Sequence, residues 1–264
     1  MRVNRLRATL KSGGIALGTI LWETRARGVL HTLAQAGMDF VFICTEHSSY
    51  NLETVVEMVA HAHAAGITPV VRIPDLQYQY VTRLLDTGCQ SLIAPHLRTG
   101  EEARRFIEYA KYHPEGRRGM AIMNNAGVDY EDVDPRAAMT HANGNTLLAV
   151  LIETREAVEN AEQILLPGID LALVGFQDLA QSLGVPGEFT NPQVREATAR
   201  VNSLCKTRGI ATAGAITHPE NVKAVVDSGA QFLLYGTDLL LLRREAERAA
   251  KALAPYRRSV GAGR

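Results

Sequence analysis

The hydrophobic pattern is clearest at residues 147–157, where six uninterrupted apolar residues are followed by Glu153 and then by charged residues at helical spacing. An apolar run bounded in this way is typical of a strand buried on both faces. Glu153 is therefore predicted to lie at the carboxyl end of a buried strand, just before a helix. Ligands bind at this position in parallel α/β folds. A carboxylate there can also simply favour the dipole of the following helix.

Strand and helix patterns alternate along almost the whole chain. Gly37, Gly66 and Gly88 follow predicted helices, as expected of glycine in a helix C-cap. About eight strands, each followed by a helix, predict a (β/α)8 TIM barrel that spans residues 1–264 as a single domain. A doubly wound open sheet is the alternative, but its glycine-rich phosphate motif is absent. The predicted strands are 14–20, 39–44, 68–72, 90–94, 147–152, 169–175, 210–214 and 232–235.

Composition narrows the functional class. The chain has 28 basic and 28 acidic residues and no basic stripe, which argues against a nucleic-acid partner. No apolar run approaches the ~20 residues of a membrane span, and no signal-type apolar region follows the basic N-terminus. Cys44, Cys89 and Cys205 are widely separated, which indicates a reducing compartment. We expect a soluble cytoplasmic enzyme.

Polar side chains recur where predicted strands end, and in a barrel these ends converge on one mouth. Each has a simpler structural explanation: Arg72 as a rim ion pair, Asp178 as a helix cap, His47 as a helix-start residue. Their coincidence at strand ends nevertheless favours a site. The strand-end residues are Cys44, Thr45, Glu46 and His47, then Arg72, Pro95 and His96, Glu153, and the segment Gly175 to Asp178.

These side chains suit the chemistry of an enolate. Glu153 and Asp178 offer hard oxygen ligands, which suit Mg²⁺ or Mn²⁺ acting as a Lewis acid on a carbonyl. Arg72 could bind the same oxygen as it gains charge, and His47 could move a proton as general base. Backbone N–H groups around Gln177 and Asp178, at a helix start, could hold a carboxylate. The set predicts formation and protonation of the enolate of a 2-oxo acid.

Five motifs between Glu46 and Leu179 together resemble the HpcH/HpaI class II pyruvate aldolases, such as 4-hydroxy-2-oxoheptanedioate and 2-dehydro-3-deoxyglucarate aldolases, and the resemblance extends over about residues 18–242. They are Glu46-His47 after a buried strand, Pro69-Val-Val-Arg72, Pro114-Glu-Gly116-Arg-Arg118-Gly119, Ile152-Glu153-Thr154-Arg155 and Gly175-x-x-Asp178-Leu179.

The resemblance implies a role for each matching residue. Glu153 and Asp178 would bind a divalent metal, with Mg or Mn favoured and Co or Zn as alternatives. Arg72 would contact the pyruvyl oxygen, and His47 would be the acid/base. Asp86 would orient His47, in places across a subunit contact. The family's pyruvate-type barrel also implies a hexamer in which the C-terminal helix is exchanged between subunits.

Three positions depart from the family pattern. Cys44 stands where aspartate is common, Leu151 where glutamine is common, and Phe176 where the Gly-Pro-x-Asp form has proline. Loss of the aspartate puts the proton relay in question, and Leu151 and Phe176 predict a more apolar pocket. A changed acceptor or a changed reaction is expected, with the enolate half retained.

The leading functional hypothesis is a metal-dependent carbon–carbon lyase that cleaves or forms 4-hydroxy-2-oxo acids through a pyruvate enolate. A second hypothesis is an enolate-condensing or oxaloacetate-decarboxylating enzyme, and a third is a non-catalytic oxo-acid-binding barrel. Residues 113–145 break the strand–helix rhythm, with one helix predicted around 135–142. A loop this long is usually functional or disordered, so we expect it to shape the acceptor side, with Arg118 or Asn124 touching the acceptor.

Overall fold

A computed structural model describes residues 1–122 and 125–257. Eight parallel strands form a closed barrel in the order β1 to β8, and this confirms the predicted TIM-barrel architecture. Asn124, one of the two predicted acceptor contacts, lies outside the described residues. The strands are β1 Ala16–Leu21, β2 Phe40–Cys44, β3 Thr68–Arg72, β4 Ser91–Ala94, β5 Leu147–Ile152, β6 Leu171–Val174, β7 Ala211–Ile216 and β8 Phe232–Thr237.

Helices connect the strands around the outside of the barrel. Side-chain caps fix several helix starts, including a capping box in which Thr99 and Glu102 satisfy each other's backbone N–H groups. The first helix, which precedes β1, was not predicted from the sequence pattern. The helices are α1 Arg5–Lys11, α2 Arg27–Gln35, α3 Leu52–Ala65, α4 Tyr78–Asp86, α5 Gly100–Ala110, α6 Pro135–Asn145, α7 Arg155–Glu159, α8 Ala161–Ile164, α9 Phe176–Ser182, α10 Pro192–Arg208, α11 Val222–Asp227 and α12 Asp238–Leu253.

The core has two layers because alternate strand residues face opposite sides. Phe40, Phe42 and Cys44 of β2 point into the barrel, where Phe40 stacks on Phe232 with ring centroids 3.9 Å apart. Leu6 and Leu10 of α1 join this inner cluster and close the amino end of the barrel. Residues of opposite parity pack outward against the helices. The interior is thus filled by side chains, and the strand carboxyl ends remain for a site.

The segment between α5 and β5 lies at the amino end of the barrel, since it enters a strand from a helix. Tyr112, Ile122 and Val128 form a small cluster with Met1 packed against it. Arg118 donates to Asp86 and lies over the Tyr112 ring, 4.5 Å from its centroid. The expectation that residues 113–145 shape the acceptor side therefore fails within one chain. Arg118 does not reach the mouth of its own barrel.

Lys111 anchors this segment from inside the protein. Its side chain is buried, and its Nζ donates to the backbone oxygens of Asn143 and Thr146, at 2.5 and 3.1 Å. Burial lowers the pKa of Lys111 to about 8. The ammonium is therefore held by carbonyl dipoles at the entry to β5.

We expect a pH-dependent stability difference between the wild type and Lys111→Met. Because the lowered pKa makes the folded protein release this proton before the unfolded chain does, stability rises with pH between about 8 and 10.4. Over that window the wild type should gain on the order of 2 kcal/mol relative to Lys111→Met in urea unfolding. The exposed Lys251→Met is the matched control. Parallel pH profiles for the wild type and Lys111→Met would contradict the assignment.

Two predictions from composition can be compared with the structure. Cys44, Cys89 and Cys205 are all free and buried. Among the described residues, every helix is too short or too polar to cross a bilayer.

Candidate functional site

Glu153 lies at the carboxyl end of β5 and is only 1% exposed. Strands β5 and β6 pair with Ile152 opposite Val174, so Glu153 is beside Gly175. A Cβ at Gly175 would lie 2.8 Å from the Glu153 Cβ, closer than side chains tolerate. Glycine at position 175 thus gives the buried carboxylate its space. The sequence prediction placed Glu153 correctly at a strand end.

Only one of the two carboxylate oxygens of Glu153 accepts a hydrogen bond from the described residues. Its Oε1 accepts the backbone N–H of His96 at 2.7 Å, whereas its buried Oε2 has no hydrogen-bond partner among the described residues. Burial raises the pKa of Glu153, and the negative charges of Glu46 and Asp178 raise it further against the opposing effect of His96. Asp178 lies in the first turn of α9, directly after β6. The two predicted metal ligands therefore share one mouth, where a cation would relieve both carboxylates.

Arg72 ends β3 and is held on both sides of its guanidinium. Its Nη2 donates to Cys44 Sγ at 2.9 Å, and its Nη1 lies 3.1 Å from Glu46 Oε2. The Arg72 and Glu46 side chains are about nine-tenths buried, with 9% and 10% exposed. Cys44 also accepts the backbone N–H of His47 at 3.3 Å. The Cys44 sulfur, at the position where the family commonly has an aspartate, thus contacts both Arg72 and the backbone of His47.

His96 follows β4, and its imidazole lies between Glu46 and Glu153. Its Nε2 lies 2.7 Å from Glu46 Oε1 and its Nδ1 lies 3.0 Å from Glu153 Oε1. The residue has a left-handed backbone with φ 57°, a conformation that costs energy outside glycine and recurs at functional sites. Sequence reasoning placed Glu46 and His96 at strand ends but gave them no role. The only available signal was that polar residues directly follow two buried strands.

The other predicted site residues are less tightly held. His47 is half exposed, and its Nε2 is 3.6 Å from Glu46 Oε1. Gln177 is exposed in the first turn of α9. Asp86 ends α4 and pairs with Arg118, so it is at the opposite end of the barrel from His47. Within one chain Asp86 cannot orient His47, because α4 runs away from the mouth.

A loop after β1 borders the same mouth and is fixed by Asp238, the first residue of α12. One oxygen of Asp238 accepts the backbone N–H groups of Trp22, Glu23 and Thr24 at 3.2, 3.0 and 2.8 Å. Burial alone would raise the pKa of Asp238, but these hydrogen bonds outweigh it and hold the pKa below its ordinary value. The ionised carboxylate therefore locks this loop in place at neutral pH.

Comparison with known proteins agrees with this geometry. The family model described as HpcH/HpaI aldolase/citrate lyase matches residues 20–244. The chain belongs to this family. Its relatives include the hydroxypyruvate/pyruvate aldolase of Sagittula stellata, 31% identical over 92% of this chain and 95% of the relative. The 4-hydroxy-2-oxo-heptane-1,7-dioate aldolase of Escherichia coli is 30% identical over 98% of each chain.

The crystal structure of an HpcH/HpaI aldolase from Desulfitobacterium hafniense has a TM-score of 0.88 to this chain, with 28% identity over 94% of this chain and 96% of that one. The resemblance inferred from the motifs is therefore confirmed. With aldolases matching over nearly its full length, this HpcH/HpaI protein is a carbon–carbon lyase.

The mouth fits the divalent metal on which aldolases of this kind generally depend. The orphaned Glu153 Oε2, the nearby Asp178 charge and the space left by Gly175 form an oxygen cradle. Across the described residues, no three His, Cys, Asp or Glu side chains already converge on one point. A two-carboxylate site completed by water and a chelating substrate is consistent with both observations.

Proposed function

We propose that this HpcH/HpaI protein is a divalent-metal-dependent aldolase that cleaves or forms 4-hydroxy-2-oxo acids through a pyruvate enolate. The observation that carries the proposal is the buried Glu153 carboxylate, whose Oε2 has no partner among the described residues and which feels the charge of Asp178. Such a group is costly to bury alone and is stabilised by a bound cation. Mg²⁺ or Mn²⁺ suits the two oxygen ligands best, with Co²⁺ or Zn²⁺ as alternatives.

Each residue of the mouth then has a role. Glu153 and Asp178 would hold the metal, which when bound would supply a Lewis acid for the 2-oxo group. Arg72, fixed by Cys44 and Glu46, donates to the oxygen that becomes the enolate oxygen. His47, half exposed at the rim, moves the proton between solvent and substrate. Leu151, buried in the barrel interior beneath Glu153, excludes water from below.

The pocket is less altered by Phe176 than the sequence suggested. Phe176 packs against the outer core between barrel and helices, whereas Leu151 belongs to the inner cluster. Of the two apolar departures, Leu151 is therefore the one that faces the barrel interior. Gln177 remains a predicted substrate contact, supported by its position at the rim.

The test is exchange of the pyruvate methyl protons with deuterated water, followed by proton NMR. We expect exchange with Mg²⁺ or Mn²⁺ and its loss after chelation, because enolate formation needs the metal but no acceptor. Pyruvate release from a 4-hydroxy-2-oxo acid should follow the same metal dependence. Full cleavage activity after exhaustive chelation would refute the proposal.

A second candidate keeps the enolate and changes its partner. Cys44 motivates it, since a thiol replaces the common family carboxylate next to both Arg72 and the backbone of His47. The family description itself covers aldolases and citrate lyases. Decarboxylation of oxaloacetate without cleavage of any 4-hydroxy-2-oxo acid would favour this candidate. The aldolase relatives argue against the third hypothesis, a barrel without turnover.

We also propose that the chain works as a cytoplasmic homo-oligomer, a hexamer with an exchanged C-terminal helix. In support, α11 buries no residue and α12 buries only Asp238, while Leu239 and Leu242 are 48% and 68% exposed. A second copy could cover these leucines. Asp86 could orient His47 only across such a contact, because within one chain it lies at the other end of the barrel. Three widely separated free cysteines are typical of proteins in a reducing compartment such as the cytoplasm.

A further inference from the structure

The loop formed by residues 22–24, directly after β1, is held by hydrogen bonds from two other segments of the chain. One oxygen of Asp238 accepts the three successive backbone N–H groups of this loop, at 3.2, 3.0 and 2.8 Å. The hydroxyl of Tyr50, which lies just before α3, donates to the backbone oxygen of Thr24 at 3.1 Å. Asp238 and Tyr50 are each only 8% exposed. Hydrogen bonds to an ionised carboxylate are stronger than neutral ones, so the loop is firmly fixed.

The pairing of β1 with β8 explains why Asp238 reaches this loop. The register between the two strands shifts between Gly18 and Ile20, and Ile20 lies opposite Thr237. Asp238 is the next residue after Thr237, and Trp22 follows Ile20 by two positions. The first residue of α12 is therefore beside the loop at the carboxyl end of the barrel.

Trp22 is the side chain that these hydrogen bonds hold in place. Its ring is partly buried and packs against the inner cluster of the barrel, so it lies at the mouth. Its Nε1 is buried and has no hydrogen-bond partner among the described residues. An indole N–H can only donate, and a buried donor normally has an acceptor. The N–H of Trp22 is therefore available to an oxygen atom of a bound substrate.

The strand order places Trp22 across the mouth from the predicted metal ligands. Arg72 ends β3, Glu153 follows β5 and Asp178 follows β6. Strands β1 and β5 are opposite each other, since three strands separate them on each side of the closed barrel. A substrate whose pyruvyl half lies at Arg72, Glu153 and Asp178 extends its other half towards β1. Trp22 therefore borders the space for the aldehyde portion.

We propose that Asp238 and Tyr50 are positioning residues that hold Trp22 as the acceptor-side wall of the mouth, with its indole N–H directed at an oxygen of the aldehyde portion. This inference rests on the proposed function, because it presupposes a substrate with its pyruvyl half at the opposite wall. Trp22 contacts the substrate before and during bond cleavage alike. Loosening the loop therefore weakens substrate binding more than it slows the chemical step.

The test uses the fluorescence of Trp22, the sole tryptophan of the chain, together with steady-state kinetics of the metal-loaded protein. In Asp238→Asn we expect stronger acrylamide quenching of Trp22. KM for cleavage of a 4-hydroxy-2-oxo acid should rise about tenfold, the factor that corresponds to one weakened hydrogen bond to a charged group. The loss should fall mainly on KM, and methyl-proton exchange of pyruvate should slow by much less.

Two further variants control for a general loss of structure. Tyr50→Phe removes a single hydroxyl and should change quenching and KM in the same direction, but by less. Asp227→Asn, at the exposed end of α11 where Asp227 pairs with Lys223, is the matched control and should change neither.

The outcomes separate this inference from the proposed function. An unchanged KM in both folded variants, Asp238→Asn and Tyr50→Phe, would overturn the inference whatever the quenching shows. Equal losses in cleavage and in pyruvate exchange would also overturn it, because the loop would then support the whole mouth and not its acceptor side. In both cases the aldolase proposal stands. A wild type that shows neither metal-dependent exchange nor cleavage would overturn the proposed function, and with it the assignment of an acceptor side.

Discussion

Glu153→Gln is expected to lower kcat/KM for cleavage of a 4-hydroxy-2-oxo acid by about 10³-fold or more. The amide keeps the size of the side chain and can still accept the His96 backbone N–H, but it brings no negative charge to the cation. Losing several kcal/mol of charge stabilisation in the transition state corresponds to this decrease in rate. Pyruvate release at saturating Mn²⁺, together with the Mn²⁺ dissociation constant, measures the effect.

The same substitution should not destabilise the metal-free protein. Burial raises the pKa of Glu153, so the folded protein binds this proton more tightly than the unfolded chain does. The free energy of unfolding of the wild type therefore falls as the pH rises from the ordinary pKa of glutamate to the raised pKa of folded Glu153. The Glu153→Gln variant has no ionisable group at this position, so its stability does not fall in this way. At neutral pH and without metal, the variant should unfold at the same temperature as the wild type or at a higher one.

Glu57→Gln on the exposed surface of α3 is the matched control, and it should retain both activity and metal affinity. Wild-type turnover in Glu153→Gln would exclude Glu153 as a metal ligand. A large loss of thermal stability in the metal-free variant would instead show that Glu153 has a structural role. The two readings are separated by measuring unfolding and activity on the same preparation.

Arg72→Lys is expected to slow metal-dependent methyl-proton exchange of pyruvate by about 10²- to 10³-fold, the usual loss when one donor to a developing oxyanion is removed. The planar guanidinium contacts Cys44 and Glu46 at once, with distances of 2.9 and 3.1 Å. A lysine ammonium lacks this fork, so it cannot keep both contacts and also reach the enolate oxygen. The loss should fall mainly on kcat, because the oxygen carries full charge only after the proton leaves.

Lysine is preferred to alanine here because it leaves Glu46, only 10% exposed, with a positive partner. Arg105→Lys on the exposed face of α5 serves as the control for the exchange itself. An unchanged exchange rate in Arg72→Lys would show that any cation suffices at this position. A rise in KM with kcat intact would assign Arg72 to ground-state binding alone.

The sequence by itself determined the barrel architecture and the strand ends at which the main site residues lie. Periodicity located all eight strands, because a fully buried parallel strand needs an apolar run that local composition reveals. Since strand carboxyl ends meet at one mouth, the positions of Glu153, Arg72 and Asp178 along the chain were enough to bring them together. The short first helix was missed because its apolar residues Leu6 and Leu10 are few and are buried only by the closed barrel.

Tertiary structure alone decided the contacts between segments. The bridge from Glu46 through His96 to Glu153 depends on barrel closure and on a left-handed backbone at His96, neither of which the local pattern encodes. The direction of α4 places Asp86 at the amino end of the barrel, and the connection from α5 to β5 places residues 113–145 there as well. Distances across strands arise from packing of residues far apart in sequence, so periodicity can name the residues of a site but not which atoms face one another.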